Sequence, residues 1–368
     1  MSRTTTRIAD TQAVMRDQGF DLLLVGPSAD LRYLVGYHAL PLERLTLLIV
    51  PAEDDPALVV PRLELPRARD QGVAGHVSLH SWEEDEDPFR LVAGLASPHV
   101  SGSPVYAVQD RLWASFLLRL QDGLPAGEWQ PATSVMRELR IVKDDTEIDA
   151  LRGAGRAIDA VHAQVPQLLR PGRTEREVAR DISELILDDH DEVNFVIVAS
   201  GPNGASPHHE TSDRTLSPGD AVVIDIGGTR DGYCSDMTRN YTVGSASDEY
   251  RAIHDVLLEA QRAAVAAVAP GVSAQEVDAA ARERISDAGY GEQFLHRTGH
   301  GIGIEEHEEP WIVAGNEEPL RPGMTFSVEP GIYVDGRFGA RIEDIVVVTE
   351  DGAERLNVLD RDLVEVEA

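Results

Sequence analysis

The chain has 368 residues, enough for two ordinary domains, and its 42% hydrophobic content suits a globular protein. Sixty-four acids against 33 bases leave a net charge of −31, which argues against a nucleic-acid partner, because phosphate binding needs a basic face. No apolar run approaches the ~18 residues of a membrane helix, the opening MSRTTTRIADTQ lacks a signal-peptide core, and a single cysteine, Cys234, excludes an internal disulfide. A cytoplasmic protein with no membrane partner is expected. Lys143 is the one lysine among the bases; a salt-adapted surface and an arginine-favouring coding bias account for that equally well.

The first part reads as a small α/β unit. Ile8, Val14 and Met15 predict a helix over 8–19, stopped at Gly19. DLLLVG (21–26), RLTLLIVP (44–51) and ALVVP (57–61) are short apolar runs bounded by Pro, Gly or acids, hence strands. VYAVQD (105–110) predicts another strand and 111–120 a helix. No catalytic constellation precedes about residue 130. Gly123, Pro125, Gly127 and Pro131 mark 123–133 as a linker, which gives domains 1–130 and 138–368.

The second part contains a repeat. PGRTEREV (171–178) matches PGVSAQEV (270–277), each with a Ser or Thr three residues before a glutamate, a capping box that opens a helix. Long helices are expected before each copy, over 146–169 and 248–268. SPGDAVVIDIG (217–227) parallels RPGMTFSVEPG (321–331), and in both an acid stands six residues after the glycine of Pro-Gly: Asp225 and Glu329. Each half thus offers two helices and then a strand with an inward acid, which would gather the acids at a pseudo-twofold axis.

HRTGHGIGIEEHEEP (296–310) holds His296, His300 and His307 among three glycines and four glutamates. Three glycines in five positions disfavour a helix. As a strand, the segment puts His296 and His300 on one face, with glycines that admit a close neighbour. Asp225 and Asp236, and again Glu329 and Glu343, read as acids on adjacent strands joined by a turn. Four buried carboxylates need compensation. Two divalent cations supply it, with His300 as the one nitrogen donor; the oxygen-rich set favours Mn, Co or Fe over thiolate-type zinc.

SGPNGASPHHE, DIGGTRDGYCSDMTRNY, HRTGHGIGIEEHEEP, FSVEPGIY and GARIED together resemble the successive motifs of the pita-bread metallopeptidases, the family of methionine aminopeptidase, prolidase and aminopeptidase P. The resemblance runs from about Arg140 to the C-terminus. It implies an α/β (α+β) chain in which a creatinase-like N-terminal domain precedes a pseudo-twofold pita-bread catalytic domain. By resemblance the metal ligands are Asp225, Asp236, His300, Glu329 and Glu343, with Asp236 and Glu343 bridging two divalent ions, Mn first and Co, Fe or Zn as alternatives.

The resemblance also implies roles around the metals. His208 and His307 stand at the proton-handling positions, and Glu329 is both a ligand and the group nearest the attacking water. His296 and Tyr333 match residues around a proline pocket, and Arg341 the arginine beside the last ligand. His209, His162 and His254 are expected to be structural. The implied activity is hydrolysis of Xaa-Pro bonds, in dipeptides or at the N-terminus of short peptides; a homodimer is expected as well. A creatinase-like hydrolase or a metal-using lyase on a small zwitterion is the alternative. Trp311 departs from the pattern of several prolidases, which carry there an arginine for the dipeptide carboxylate. The exchange predicts that Xaa-Pro-Yaa peptides are cleaved at least as well as dipeptides, unless another arginine, such as Arg337, takes over.

Overall fold

A computed structural model describes residues 3–75 and 77–368, in two compact units, Met1–Arg140 and Ile141–Ala368. In the first unit, β1 (Leu22–Val25), β2 (Leu47–Pro51), β3 (Ala57–Pro61), β4 (Ser78–Trp82), β5 (Val105–Val108) and β6 (Glu128–Pro131) form one sheet in the order β4-β3-β2-β1-β5-β6. The helices are α1 (Arg3–Gln18), α2 (Ala29–Val35), α3 (Leu65–Asp70), α4 (Pro88–Ala96), α5 (Ala114–Gly123) and α6 (Thr133–Arg140). The inner strands β1, β2 and β3 are buried at every position, so they read as unbroken apolar runs. The edge strands are not apolar, and the sequence did not announce them. The stretch 123–133, expected as a linker, contains β6, which pairs with β5. Its Gly127 answers close packing: a Cβ there would lie 2.2 Å from the Pro104 carbonyl oxygen.

The second unit is built from α7 (Asp145–His162), α8 (Val165–Leu168), α9 (Glu175–Ile186), α10 (Asp248–Ala267) and α11 (Ala274–Asp287). The expected helix 146–169 is two helices, because Pro166 opens α8 and cannot continue α7. Strands β7 (Glu192–Ser200), β8 (Ala221–Arg230) and β9 (Tyr233–Val243) form a meander, with β8 and β9 joined by the two-residue turn Asp231-Gly232, a hairpin signal. The other half holds β10 (Gly299–Gly301), β11 (Glu308–Ile312), β12 (Thr325–Val328), β13 (Gly331–Val334), β14 (Phe338–Arg341), β15 (Asp344–Val348) and β16 (Ala353–Arg355). A last strand, β17 (Val364–Val366), returns to pair with β9. The sheet orders are β17-β9-β8-β7 and β11-β10-β12-β15-β16, with β13-β14 a separate hairpin.

The sequence repeat is a structural one. Thr174 and Ser273 both close capping boxes, with Glu177 and Glu276. Gly172 N donates to Leu216 O and Gly271 N to Leu320 O; Glu175 N donates to Arg214 O and Ala274 N to Glu318 O. Isolated bridges Thr174–Thr215 and Ser273–Pro319 complete the match. One apolar core lies under each copy, around Val178, Ile182 and Ile224 in the first and Val277, Ala281 and Phe326 in the second. Lys143 is buried and donates to Glu308 Oε1 at 2.6 Å, beside His307. No helix among the described residues is long and apolar enough to cross a membrane.

Candidate metal centre

Each acid reaches the centre from a strand or a strand end. Asp225 pairs with Thr238 and Gly227 with Asp236, so the two aspartates are diagonal neighbours on one face of the β8–β9 hairpin. Val328 pairs with Asp344, which sets Glu329 and Glu343 across from each other just past the ends of β12 and β15. The connection between them is more than the expected turn: it is the β13–β14 hairpin, which brings Tyr333 and Arg341 to the site.

His300 lies on β10, a strand of only three residues; His296 sits in the coil before it and not on the same strand as expected. A Cβ on Gly299 would lie 1.8 Å from Ser327 O, and one on Gly301 2.2 Å from Glu309 O. The glycines therefore let β10 wedge between β11 and β12. His300 N donates to Ser327 Oγ (3.0 Å), and its Nδ1 faces Gly301 O at 3.1 Å. A ring nitrogen facing a carbonyl carries the proton, which leaves the Nε2 lone pair for a metal. That Nε2 lies 3.2 Å from Glu329 Oε1 and 3.7 Å from Asp236 Oδ2.

Three overlapping sets have donor atoms within 4.8 Å of one another: Asp225, Asp236 and Glu343; His300, Glu329 and Glu343; Asp236, His300 and His307. Glu343 belongs to two sets and Asp236 to two. Burial, then Glu343, Asp225 and Glu329, push the Asp236 carboxyl well above the usual range. Burial with Glu329 and Asp225 does the same to Glu343. Burial also works against the Glu329 charge, yet the hydrogen bond and charge of His300 bring its carboxyl down to about 2. Asp225 Oδ1 is buried without a hydrogen-bond partner among the described residues. Crowded carboxylates and an orphaned oxygen, with no thiolate among them, fit hard divalent cations.

These donors line a cavity of about 290 Å³ together with Phe195, Ile197, Pro207, His208, His296, Arg297, Glu306, His307 and Arg341. The His307 ring stands 3.9 Å from that of His300. Tyr333 is a layer behind the wall, its OH accepting from Arg341 Nη1 (2.8 Å) and meeting His296 Nε2 (2.8 Å). Arg341 also reaches Asp225 Oδ2. Trp311 is off the wall too, paired in register with His300 on the neighbouring strand. Arg337 is exposed and held by both carboxylate oxygens of Glu249, so it is not a cavity residue. His162 and His254 are buried.

Arg297 and Glu175 are among the residues of the site that the sequence did not point to. Arg297 lies on the wall, its guanidinium 4.2 Å above the Trp311 ring. Glu175, fully buried, accepts hydrogen bonds from Ser200, Asn203 and Ser212 and meets His209 Nε2 at 2.8 Å. It thereby ties down the 3-10 turn Gly201–Ala205 and the segment that presents His208. The repeat held a signal for it, since Glu175 stands where the second copy has Ala274.

Five acid and imidazole side chains that could hold metal converge on two pseudo-symmetric α/β halves, an arrangement of the pita-bread metallopeptidase kind. The chain belongs to metallopeptidase family M24, whose model matches residues 149–350, and the Creatinase/Prolidase N-terminal domain model matches residues 7–142. It is 52% identical to the "Probable dipeptidase PepE" of Mycobacterium tuberculosis over 98% of this chain and 96% of that one. Among solved structures, dipeptidase PepE from Mycobacterium ulcerans superposes with a TM-score of 0.93 at 50% identity, covering 100% of this chain and 98% of that one. The prolidase of Thermococcus sibiricus gives 0.94 at 39% identity, with 100% of both chains covered.

Proposed function

We propose that the chain is a dimetal Xaa-Pro dipeptidase. The observation that carries this reading is the convergence of Asp225, Asp236, His300, Glu329 and Glu343 on a cavity at the small end for ligand sites, suited to a short peptide. The names of the similar proteins favour dipeptides over longer chains. In this reading residues 138–368 carry the chemistry and 1–130 form the creatinase-like domain. The five donors would hold two divalent ions, with Asp236 and Glu343 shared; manganese is the proposed native pair, on the oxygen-rich donor set, with cobalt, iron or zinc as alternatives. Such ions supply Lewis acidity and an activated water at neutral pH.

The chain's own residues do the rest. Glu329, oriented by Ser327 Oγ at 3.1 Å from its Oε1, takes the proton of the attacking water. His208 and His307 hold the charge that develops on the scissile carbonyl oxygen and deliver a proton to the departing imino nitrogen. A bond to proline has no N–H, so recognition rests on shape: Phe195, Ile197 and Pro207 give apolar wall, and the His296–Tyr333–Arg341 chain fixes its polar side. A homodimer in the cytoplasm completes the reading as proposed; sedimentation tests the dimer. The decisive experiment measures hydrolysis of an Xaa-Pro dipeptide after chelation and after Mn²⁺ is returned. Loss and recovery are expected. Full activity in metal-stripped protein, or none with any divalent ion, would end the reading.

A further inference from the structure

We infer that Arg297 binds the C-terminal carboxylate of a dipeptide substrate and so sets a preference for dipeptides over longer peptides, an inference that rests on the peptidase reading above. Two guanidinium groups line the cavity. Arg341 is already committed: all three of its nitrogens donate, to Asp225 Oδ2, Tyr333 OH, Pro207 O and Thr238 Oγ1. Arg297 differs. Among the described residues no hydrogen bond or ion pair occupies its guanidinium, which stacks on the face of Trp311.

Stacking on an indole fixes the plane of an arginine without consuming its N–H groups. The fork is left to accept a planar anion in two parallel hydrogen bonds. The platform is itself fixed: Trp311 pairs with His300 in the β10–β11 register, and its carbonyl accepts from Asn316 Nδ2 at 2.7 Å. A dipeptide whose scissile carbonyl lies at the His300 and Glu329 donors carries its carboxylate only a few bonds further on. Arg341 is already held by its own partners, so Arg297 is the cation on the wall left for that carboxylate. Glu306, the remaining charged wall residue, has the wrong sign for the task. A longer peptide has an amide at this point, offers the guanidinium only a neutral carbonyl and loses the charge-assisted pair. The indole at position 311 is thus a support for a carboxylate-binding arginine, which predicts the reverse of the tolerance for longer peptides expected from Trp311 alone.

The test compares wild type with Arg297→Met and Arg297→Lys, loaded with Mn²⁺, on Ala-Pro, Ala-Pro-amide and Ala-Pro-Ala. Arg297→Met should lose roughly 10- to 150-fold in kcat/KM on Ala-Pro, the worth of a charge-assisted hydrogen bond, with the loss in KM. Ala-Pro-amide, which has no carboxylate, should stay within about 2-fold, and Arg297→Lys should recover part of the dipeptide rate. An equal fall on dipeptide and amide, or no fall on the dipeptide, would overturn the assignment. If wild type cleaves none of the three, the peptidase reading fails separately. Calorimetric titration with L-proline and prolinamide then decides: tighter proline binding that disappears in Arg297→Met supports the subsite, and equal binding of the two ligands to wild type refutes it.

Discussion

Asp236 has to satisfy two opposite states. It is 4% exposed and, without metal, burial and three neighbouring carboxylates hold its proton far above the ordinary range. A raised folded-state value means that the folded chain binds more protons than the unfolded one, so this contribution to stability falls as pH climbs out of the carboxylate range. Asp236→Asn removes that penalty. Chelated Asp236→Asn should therefore be more stable than chelated wild type, by about 1–3 kcal/mol at neutral pH, with the gap wider at pH 8 than at pH 5. Added Mn²⁺ should raise the wild-type Tm and move the variant far less, since stabilisation by a ligand follows its affinity. Scanning calorimetry reads both, and equal Mn²⁺ shifts would remove Asp236 from the ligand set. The adjacent histidines should separate in the same spirit. His208→Ala should keep its metal content and lose roughly 10²–10⁴-fold in kcat. His209→Ala, which frees one lone pair of Glu175, should lower the unfolding midpoint first. The reverse pattern would exchange their roles.

At the scale of elements, the loop bearing His208 depends on a single buried carboxylate. Burial opposes its charge, but hydrogen bonds from Ser212, Ser200 and His209 bring Glu175 down to about 2. A depressed folded-state value gives stability that is present at neutral pH and lost as pH falls from about 4.5 towards 2. Glu175→Gln should cost up to about 3 kcal/mol at pH 7, with the difference from wild type shrinking below pH 4.5 in denaturant titrations. A difference independent of pH would mean that packing, not charge, holds the turn. Gly299→Ala should act on another element, forcing β10 off β12 with a loss of about 1–3 kcal/mol and a weaker Mn²⁺ affinity by metal analysis, because His300 rides on that strand.

These elements also mark where the sequence could be read. Period, glycine spacing and capping boxes are local, so the inner strands, the repeat and the close approach at Gly299 and Gly301 were legible, as were Asp225 and Glu329 at matched distances from Pro-Gly. Glu175 looked like one more acid in a helix's first turn, because its partners Ser200, Asn203 and Ser212 lie far along the chain. Arg297 looked incidental beside His296 until Trp311 supplied its platform. The polar edge strands β4 and β6 gave no apolar signal, and the β13–β14 hairpin was compressed in the reading to a turn.

Over the whole molecule, the excess of acids is a term in stability as well as a barrier to nucleic acid. A net charge of −31 repels itself in the folded state, and salt screens exposed charges over a Debye length of about 10 Å at 0.1 M. The Tm should rise as KCl goes from low concentration to about 1 M; a flat response would mean that surface pairing already cancels the repulsion. Positive charge on the surface is then carried by arginine, because Lys143 is the sole lysine and its side chain is 2% exposed in its ion pair with Glu308. That makes Lys143 a chemical clock. An acylating reagent finds no accessible side-chain amine while the protein is folded, and acetylation of lysine is closed to it as a means of control. Each acylated Lys143 found by mass spectrometry would record one opening of the segment beside His307, a measure of local unfolding built into the chain with no label added.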